Sequence, residues 1–155
     1  MKIRSVVFRG RKAWEMDNEA LRITMTVGGG HIAGLELNSR KGSNPLWVPI
    51  WNSMEPWKYR AAKDASKYEL KLLASILGHN ICLGWVGDPS ADEAKAGLEV
   101  HGEAPVARWR LVSKTAAGKT LKLTARCALP VSQMELTRTL STKKGSNVVK
   151  VREDI

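Results

Sequence analysis

Cysteine is scarce in this chain, and long apolar runs are absent. Only two cysteines, Cys82 and Cys127, occur among the 155 residues, and each lies within an apolar stretch far from the other. Small secreted folds that depend on disulfides need more cysteines than this, so we expect both to be small buried hydrophobic residues. No segment reaches the roughly 20 uninterrupted apolar residues that a membrane span requires.

The start of the chain lacks the hydrophobic segment of a signal peptide. Basic residues surround the short apolar stretch at residues 6–8 and leave no room for a longer one. The default expectation is therefore a cytoplasmic protein with no membrane partner. A chain of 155 residues with 43% hydrophobic residues is long enough for one domain with its own core.

The net charge of +10 raises the question of an anionic partner. The basic excess is spread over both halves of the chain, whereas a nucleic-acid interface concentrates it on one face, so we expect no nucleic-acid partner. One stretch without an acidic residue remains. It is either the solvated outer face of a hairpin or a surface for a polyanion, and its basic residues are Arg108, Arg110, Lys114, Lys119, Lys122 and Arg126.

Alternating apolar and polar residues dominate both ends of the sequence and predict β-strands. Glycine-containing or turn-forming segments separate these runs, which is the pattern of antiparallel hairpins. We therefore predict an all-β fold, an antiparallel β-sandwich. Residues 13–16 make a further plausible strand. The predicted strands lie near residues 20–27, 31–38, 106–114, 119–129, 132–142 and 146–153.

The middle of the chain, residues 49–97, does not alternate and is rich in tryptophan, proline and glycine. Apolar residues recur at helical spacing over residues 67–77 and predict a short helix there. Aromatic loops on a β scaffold often form binding sites. Here they either do so or simply cover the sheet.

Histidines are the first candidates for chemistry. His31 follows three glycines and is expected to be structural or exposed, and His79 with Cys82 lacks the two further ligands of a zinc site. We predict no metal and no cofactor. His101 precedes a tryptophan-bearing strand and is followed by Gly102. Its imidazole can both donate to and accept from sugar hydroxyls.

Arg138 falls by alternation on the apolar face of its strand. An arginine in that position needs a partner, because an unpaired buried charge is costly. It either forms a buried structural ion pair or lines a ligand groove.

Four segments resemble, in this order, segments of galactose-mutarotase-like (aldose 1-epimerase) proteins. Residues 21–35 resemble the opening hairpin with its glycine-rich turn, and residues 44–47 resemble a Leu-Leu-Trp segment. Val100-His101-Gly102 resembles the His-Gly of the family. Residues 136–140 and 145–151 resemble the two central strands.

The resemblance implies the supersandwich fold of the family, with residues 1–155 as the N-terminal part of a longer domain, and a sugar as the ligand. His101 would bind the sugar near its ring oxygen, and His79 partly matches an arginine–asparagine cluster of the family. Because His101 lies between an aromatic loop and a tryptophan-bearing strand, we also expect Trp85 or Trp109 to stack on the sugar ring. Arg138 is a further candidate contact. The family's catalytic histidine and glutamate come later than the strands seen here, so catalytic residues stay unknown.

Three functions remain open from the sequence. The first is a carbohydrate-binding, aldose 1-epimerase-like domain that acts on a free aldose or sugar derivative. The second is a carbohydrate-binding module without chemistry, and the third is a basic β-domain that binds a polyanion. If the chain is an incomplete sandwich, an exposed sheet edge also predicts self-association.

Overall fold

The computed structural model describes residues 1–40, 42–83 and 86–155 and consists mainly of two four-stranded antiparallel sheets. Each sheet is a meander in which the strands lie in chain order. The first sheet contains β1 (Lys2–Phe8), β2 (Arg11–Asp17), β3 (Leu21–Thr26) and β4 (Ile32–Leu37). The second contains β5 (Arg110–Ala117), β6 (Thr120–Leu129), β7 (Met134–Lys143) and β8 (Val149–Asp154).

One hydrophobic core joins the two sheets. Its buried side chains come from alternate positions of the strands on both sides, for example Ile23 and Met25 of β3 with Leu121 and Leu123 of β6. Successive strand residues point to opposite faces, so the period-two pattern of β6 becomes alternation between core and solvent. The predicted all-β antiparallel sandwich is confirmed.

The strand boundaries differ from the prediction at two places. β1 was not predicted, because it lies at the edge of its sheet and most of its side chains are exposed. β5 begins at Arg110, although alternation placed its start near residue 106. Arg108 instead forms an isolated bridge with Gly28, which leaves Trp109 in the core ahead of the strand.

Short helices lie between the two sheets in the chain. The short helix predicted over residues 67–77 is present over only part of that range. The structure has α1 (Ala61–Tyr68) and α2 (Lys71–Ser75), which are separated at Glu69 by a φ of +64°. A third helix, α3 (Ala91–Ala96), was not predicted, although Ser90 and Glu93 form a capping box at its start. Among the described residues, no helix is long and apolar enough to cross a membrane.

Asn18 connects the two sheets through its side-chain amide. Its Nδ2 donates to Thr142 Oγ1 at 2.8 Å and to the Ser146 carbonyl at 2.7 Å. Its Oδ1 accepts from the Leu21 N–H at 2.7 Å. Asn18 is fully buried, so these bonds satisfy a polar group that would otherwise be costly inside the protein. They fix the β7–β8 turn against the start of β3.

The two cysteines differ in environment. Cys127 is buried as predicted, and its burial raises the pKa of the thiol to about 12. Cys82 is exposed, so the prediction that it is a buried hydrophobic residue is wrong. It lies in the loop before α3.

Candidate functional site

A groove with a volume of about 480 Å³ opens between β4 and β8, at one side of the sandwich. Its lining is mainly apolar and includes one imidazole and one carboxylate. We call it the β4–β8 groove, and it is lined by Ile32, Leu35, Leu46, His79, Val149, Val151 and Glu153.

His79 is held beside β4 by its backbone. Its N–H donates to the Ile32 carbonyl at 3.0 Å, and its carbonyl accepts from the Ile32 N–H at 2.9 Å. Gly78 allows this approach, since a Cβ there would lie 2.2 Å from the Ile32 carbonyl oxygen and its φ is +55°. The exposed imidazole makes none of these bonds and is free to meet a ligand in the groove.

Glu153 lies opposite Arg138 in the register of β8 and β7. Arg138 Nε and Nη2 donate to the same oxygen, Glu153 Oε1, at 2.8 and 2.6 Å. The side chain of Glu153 is 33% exposed, whereas that of Arg138 is fully buried. Oε2 of Glu153 accepts no hydrogen bond from the described residues and remains for a ligand.

Arg138 is buried behind the groove and anchored on three sides. Besides Glu153, it donates from Nη1 to the Gly30 carbonyl, and its guanidinium carbon lies 5.5 Å from the centre of the Trp109 ring. Burial lowers the pKa of Arg138, and the Glu153 carboxylate acts in the opposite direction. The structure therefore contains the buried ion pair that the sequence suggested, and its carboxylate also lines a groove.

The apolar wall on the β8 side is a continuation of the core. Val149 and Val151 lie opposite Thr142 and Leu140, which are buried, and so share their face. Val151 is nevertheless 43% exposed. At this end of the sandwich the inner face of the second sheet extends past the part of the first sheet that covers it, which creates the groove.

His101 does not line this groove. Its backbone has a φ of +63°. Its ring Nδ1 accepts from the Gly87 N–H at 2.8 Å, and its backbone N–H donates to the Gly87 carbonyl at 3.0 Å. A Cβ on Gly102 would lie 2.3 Å from the Leu83 carbonyl oxygen. The His-Gly pair thus holds two loop segments together, and only the other nitrogen of the imidazole is left for a ligand.

Trp109 is a core residue rather than a stacking surface. It is 1% exposed, and its ring lies between Gly30 and Arg138, since a Cβ on Gly30 would lie 2.4 Å from ring atom Cε2. The prediction that Trp109 stacks on a sugar is therefore corrected. Trp85, the other predicted stacking residue, lies outside the described residues.

Exposed tryptophans occur instead in the loop after β4. Trp47 is 53% exposed and meets Trp51 edge to face, with 5.9 Å between the ring centres. The carbonyl of Trp47 accepts from the Gly78 N–H at 2.9 Å. Trp47 thus follows the groove residue Leu46 in the chain and is bonded to the residue before His79.

A buried polar cluster, not predicted from the sequence, supports the hairpin between β3 and β4. Arg11 donates to the Gly28 carbonyl at 2.6 Å and lies 3.7 Å from the Glu55 carboxylate. Burial lowers the pKa of Arg11 to about 10 despite that carboxylate. The available signal was alternation, which places Arg11 on the same face of β2 as the buried Ala13.

His31 belongs to the same buried region and is structural. Its Nε2–H donates to the Pro105 carbonyl at 2.9 Å, and its Nδ1 accepts from the Leu77 N–H at 3.2 Å. Burial, together with the positive charges of Arg11 and Arg138, lowers its pKa to about 3. Both ring nitrogens are therefore occupied, and the imidazole is neutral.

We compared the chain with protein-family models, curated proteins and solved structures, and the result bears on the fold. No protein-family model matches the chain, and no curated protein matches it in sequence. A solved structure described as a crystal structure analysis of HI1317 matches with a TM-score of 0.56 at 12% identity, over 92% of this chain and 48% of that chain. The chain thus spans about half the length of this neighbour. At this identity the likeness shows a shared β-sandwich fold.

Proposed function

We propose that this chain is a carbohydrate-binding, aldose 1-epimerase-like domain, and that a free aldose or sugar derivative binds in the β4–β8 groove. The observation that carries the proposal is that an exposed imidazole, on His79, and a free carboxylate oxygen, on Glu153, line the same groove between apolar walls. The order of the four family-like segments in the sequence supports the same function. Catalytic residues are not assigned.

The chemistry of the groove matches that of a sugar. A pyranose presents hydroxyls around its edge and C–H groups on its faces. His79 can donate to or accept from a hydroxyl, and Glu153 Oε2 can accept from one. Val151 and Leu35 offer apolar contact for the C–H groups. The volume of about 480 Å³ lies within the usual range for small-molecule sites.

Calorimetric or NMR titration with D-glucose and D-galactose tests the proposal. His79→Ala removes only the imidazole, since the bonds to β4 are made by the backbone, and we expect affinity to fall roughly five- to tenfold. Glu153→Gln keeps an acceptor for Arg138 and should weaken binding by a similar factor. Glu135→Gln, on the opposite face of the second sheet, is the matched control and should bind normally.

Salt dependence separates this function from polyanion binding. A neutral sugar held by hydroxyl hydrogen bonds should bind with nearly the same affinity at about 0.05 M and about 0.5 M salt. An affinity that collapses over this range, or that does not change in His79→Ala and Glu153→Gln, would refute sugar binding in the groove.

Self-association is also proposed, through the free edge of β8. The outer edge of β4 is covered by side chains. Asn44 Oδ1 accepts from the Leu35 N–H at 3.0 Å, and Ser43 Oγ accepts from the Leu37 N–H at 2.9 Å. Among the described residues, no such side chain covers the outer edge of β8. An uncovered edge favours pairing with another strand, and sedimentation velocity over a concentration series measures it.

A further inference from the structure

The outer face of the second sheet carries mainly basic and hydroxyl side chains. β6, β7 and β8 expose lysine, arginine, serine and threonine at most of their outward positions, and β5 adds more. We call this the basic–hydroxyl face. Its basic members are Arg110, Lys122, Arg126, Lys143, Lys150 and Arg152.

Strand register brings together basic residues that are distant in sequence. Lys122 of β6 lies opposite Ser141 of β7, which in turn lies opposite Lys150 of β8. In the next row Thr124 and Thr139 share a hydrogen bond of 3.1 Å between their hydroxyls. The basic run seen in the sequence, which ended at Arg126, is thus only part of a wider surface that extends to β8.

The basic–hydroxyl face has more basic residues than acidic ones. The two acids on it are already paired, Glu135 with Arg126 at 3.2 Å and Asp154 with Arg152 at 2.8 Å. The other four basic residues have no acidic partner among residues that the structure describes.

Two arginines are also placed against each other. Arg110 lies directly opposite Arg126 across β5 and β6. Like charges in that position destabilise a sheet. Glu135 offsets the charge of Arg126, whereas Arg110 has no acidic partner among the described residues. The face therefore has the charge pattern of a surface that binds an extended anion.

We propose that the basic–hydroxyl face binds a linear anionic polysaccharide whose sugars carry carboxylates. Lys122 and Lys150 are two strand spacings apart, about 10 Å, so a chain with regularly repeated carboxylates can meet both. The threonine and serine hydroxyls between them can bond sugar hydroxyls. β5–β8 contain no aromatic residue, so the face offers no platform for stacking nucleic-acid bases.

This surface is separate from the β4–β8 groove and extends the function beyond it. Along β8 the side chains alternate, so that Val149, Val151 and Glu153 line the groove while Lys150 and Arg152 lie on the opposite side of the sheet. A polysaccharide can therefore occupy the outer face without blocking a small sugar in the groove.

Binding of polygalacturonate, measured by biolayer interferometry at about 0.05 M salt, tests the proposal. The double variant Lys122→Gln/Lys150→Gln should lose affinity about tenfold. Its matched control, Lys63→Gln/Lys95→Gln, removes the same charge from exposed positions on α1 and α3 and should bind nearly as the wild type does. Restoring charge with Lys122→Arg/Lys150→Arg should restore affinity.

Three results would overturn the proposal. The first is no binding of polygalacturonate by the wild type, and the second is an equal loss of affinity in the control variant, which would show a net-charge effect only. The third is tighter binding of a single-stranded DNA of similar charge, which would assign the face to nucleic acid. Neutral dextran is the control for the role of charge and should not bind this face.

Discussion

Arg138 and Trp109 hold each other in the core, with the guanidinium carbon 5.5 Å from the centre of the indole ring. A cation over an aromatic ring is attracted by the negative face of the ring, more strongly when water is excluded. The sequence suggested both residues as ligand contacts. In the structure both residues are buried behind the groove, and the Glu153 carboxylate that Arg138 binds is partly exposed to solvent.

Arg138→Ala should lower the free energy of unfolding by about 3 kcal/mol, because it leaves a cavity where a large buried side chain packed and removes the bond to the Gly30 carbonyl. Urea denaturation measures the change. Arg4→Ala, at an exposed ion pair with Glu15, is the control and should cost less than about 1 kcal/mol. A similar small cost for both variants would contradict the supporting role of Arg138.

Gly30→Ala should destabilise the protein much more than Gly118→Ala. Both glycines have positive φ, +60° and +54°, so both substitutions carry the same backbone cost of about 1 kcal/mol. Only at Gly30 would the new Cβ also meet a side chain, Trp109 Cε2 at 2.4 Å, whereas nothing lies within 4 Å at Gly118. Overpacking adds about 1–3 kcal/mol. Thermal unfolding of the two variants compares them, and equal melting temperatures would be inconsistent with this packing.

Stability should fall as the pH drops below about 6.5, because of His31. The pKa of His31 is about 3 in the folded chain, below the ordinary 6.5. Between these two pH values the unfolded chain binds a proton at His31 and the folded chain does not. The contribution of His31 is complete above about pH 6.5 and is lost at up to about 1.4 kcal/mol per pH unit as the pH falls towards 3.

Urea denaturation between about pH 6.5 and about pH 5 isolates this effect, since most carboxylates titrate lower. His31→Gln should flatten the pH dependence although it lowers stability overall. His101→Gln is the control and should keep the wild-type slope, because His101 is not among the groups that shift the pKa of His31. An unchanged slope in His31→Gln would show that other groups control acid unfolding.

We expect the purified chain to bind sugar without useful acceleration of mutarotation. Ring opening needs a base and an acid held on opposite sides of the anomeric centre. In the groove, Glu153 is the available carboxylate, and its Oε1 is already held by Arg138. Polarimetry of α-D-glucose with and without protein measures the rate. A monodisperse monomer that clearly accelerates the change would show that a complete catalytic site lies within these residues.

The groove shows how far sequence reasoning reaches at a site. Alternation placed Arg138 on the inner face of β7 and left two alternatives, a buried ion pair or a place in the lining of a ligand groove. The structure shows the buried pair, and Glu153 rather than Arg138 lines the groove. Alternation also placed Trp109 on the strand predicted near residues 106–114, but it could not show that this strand begins after Trp109 or that the hairpin at Gly30 covers the ring. Gly30 and Trp109 are 79 positions apart in the sequence, so no local sequence pattern predicts their contact.

The sequence by itself determined the strands and their antiparallel order, because the period-two pattern and the glycine turns are local properties of the chain. It could not determine edge strand β1, whose exposed side chains give no alternation, or the break at Glu69. Only the tertiary structure decided which polar residues are buried, which strands end at an uncovered edge and where the groove opens. These depend on how far one sheet extends over the other, which is set by packing between residues distant in sequence.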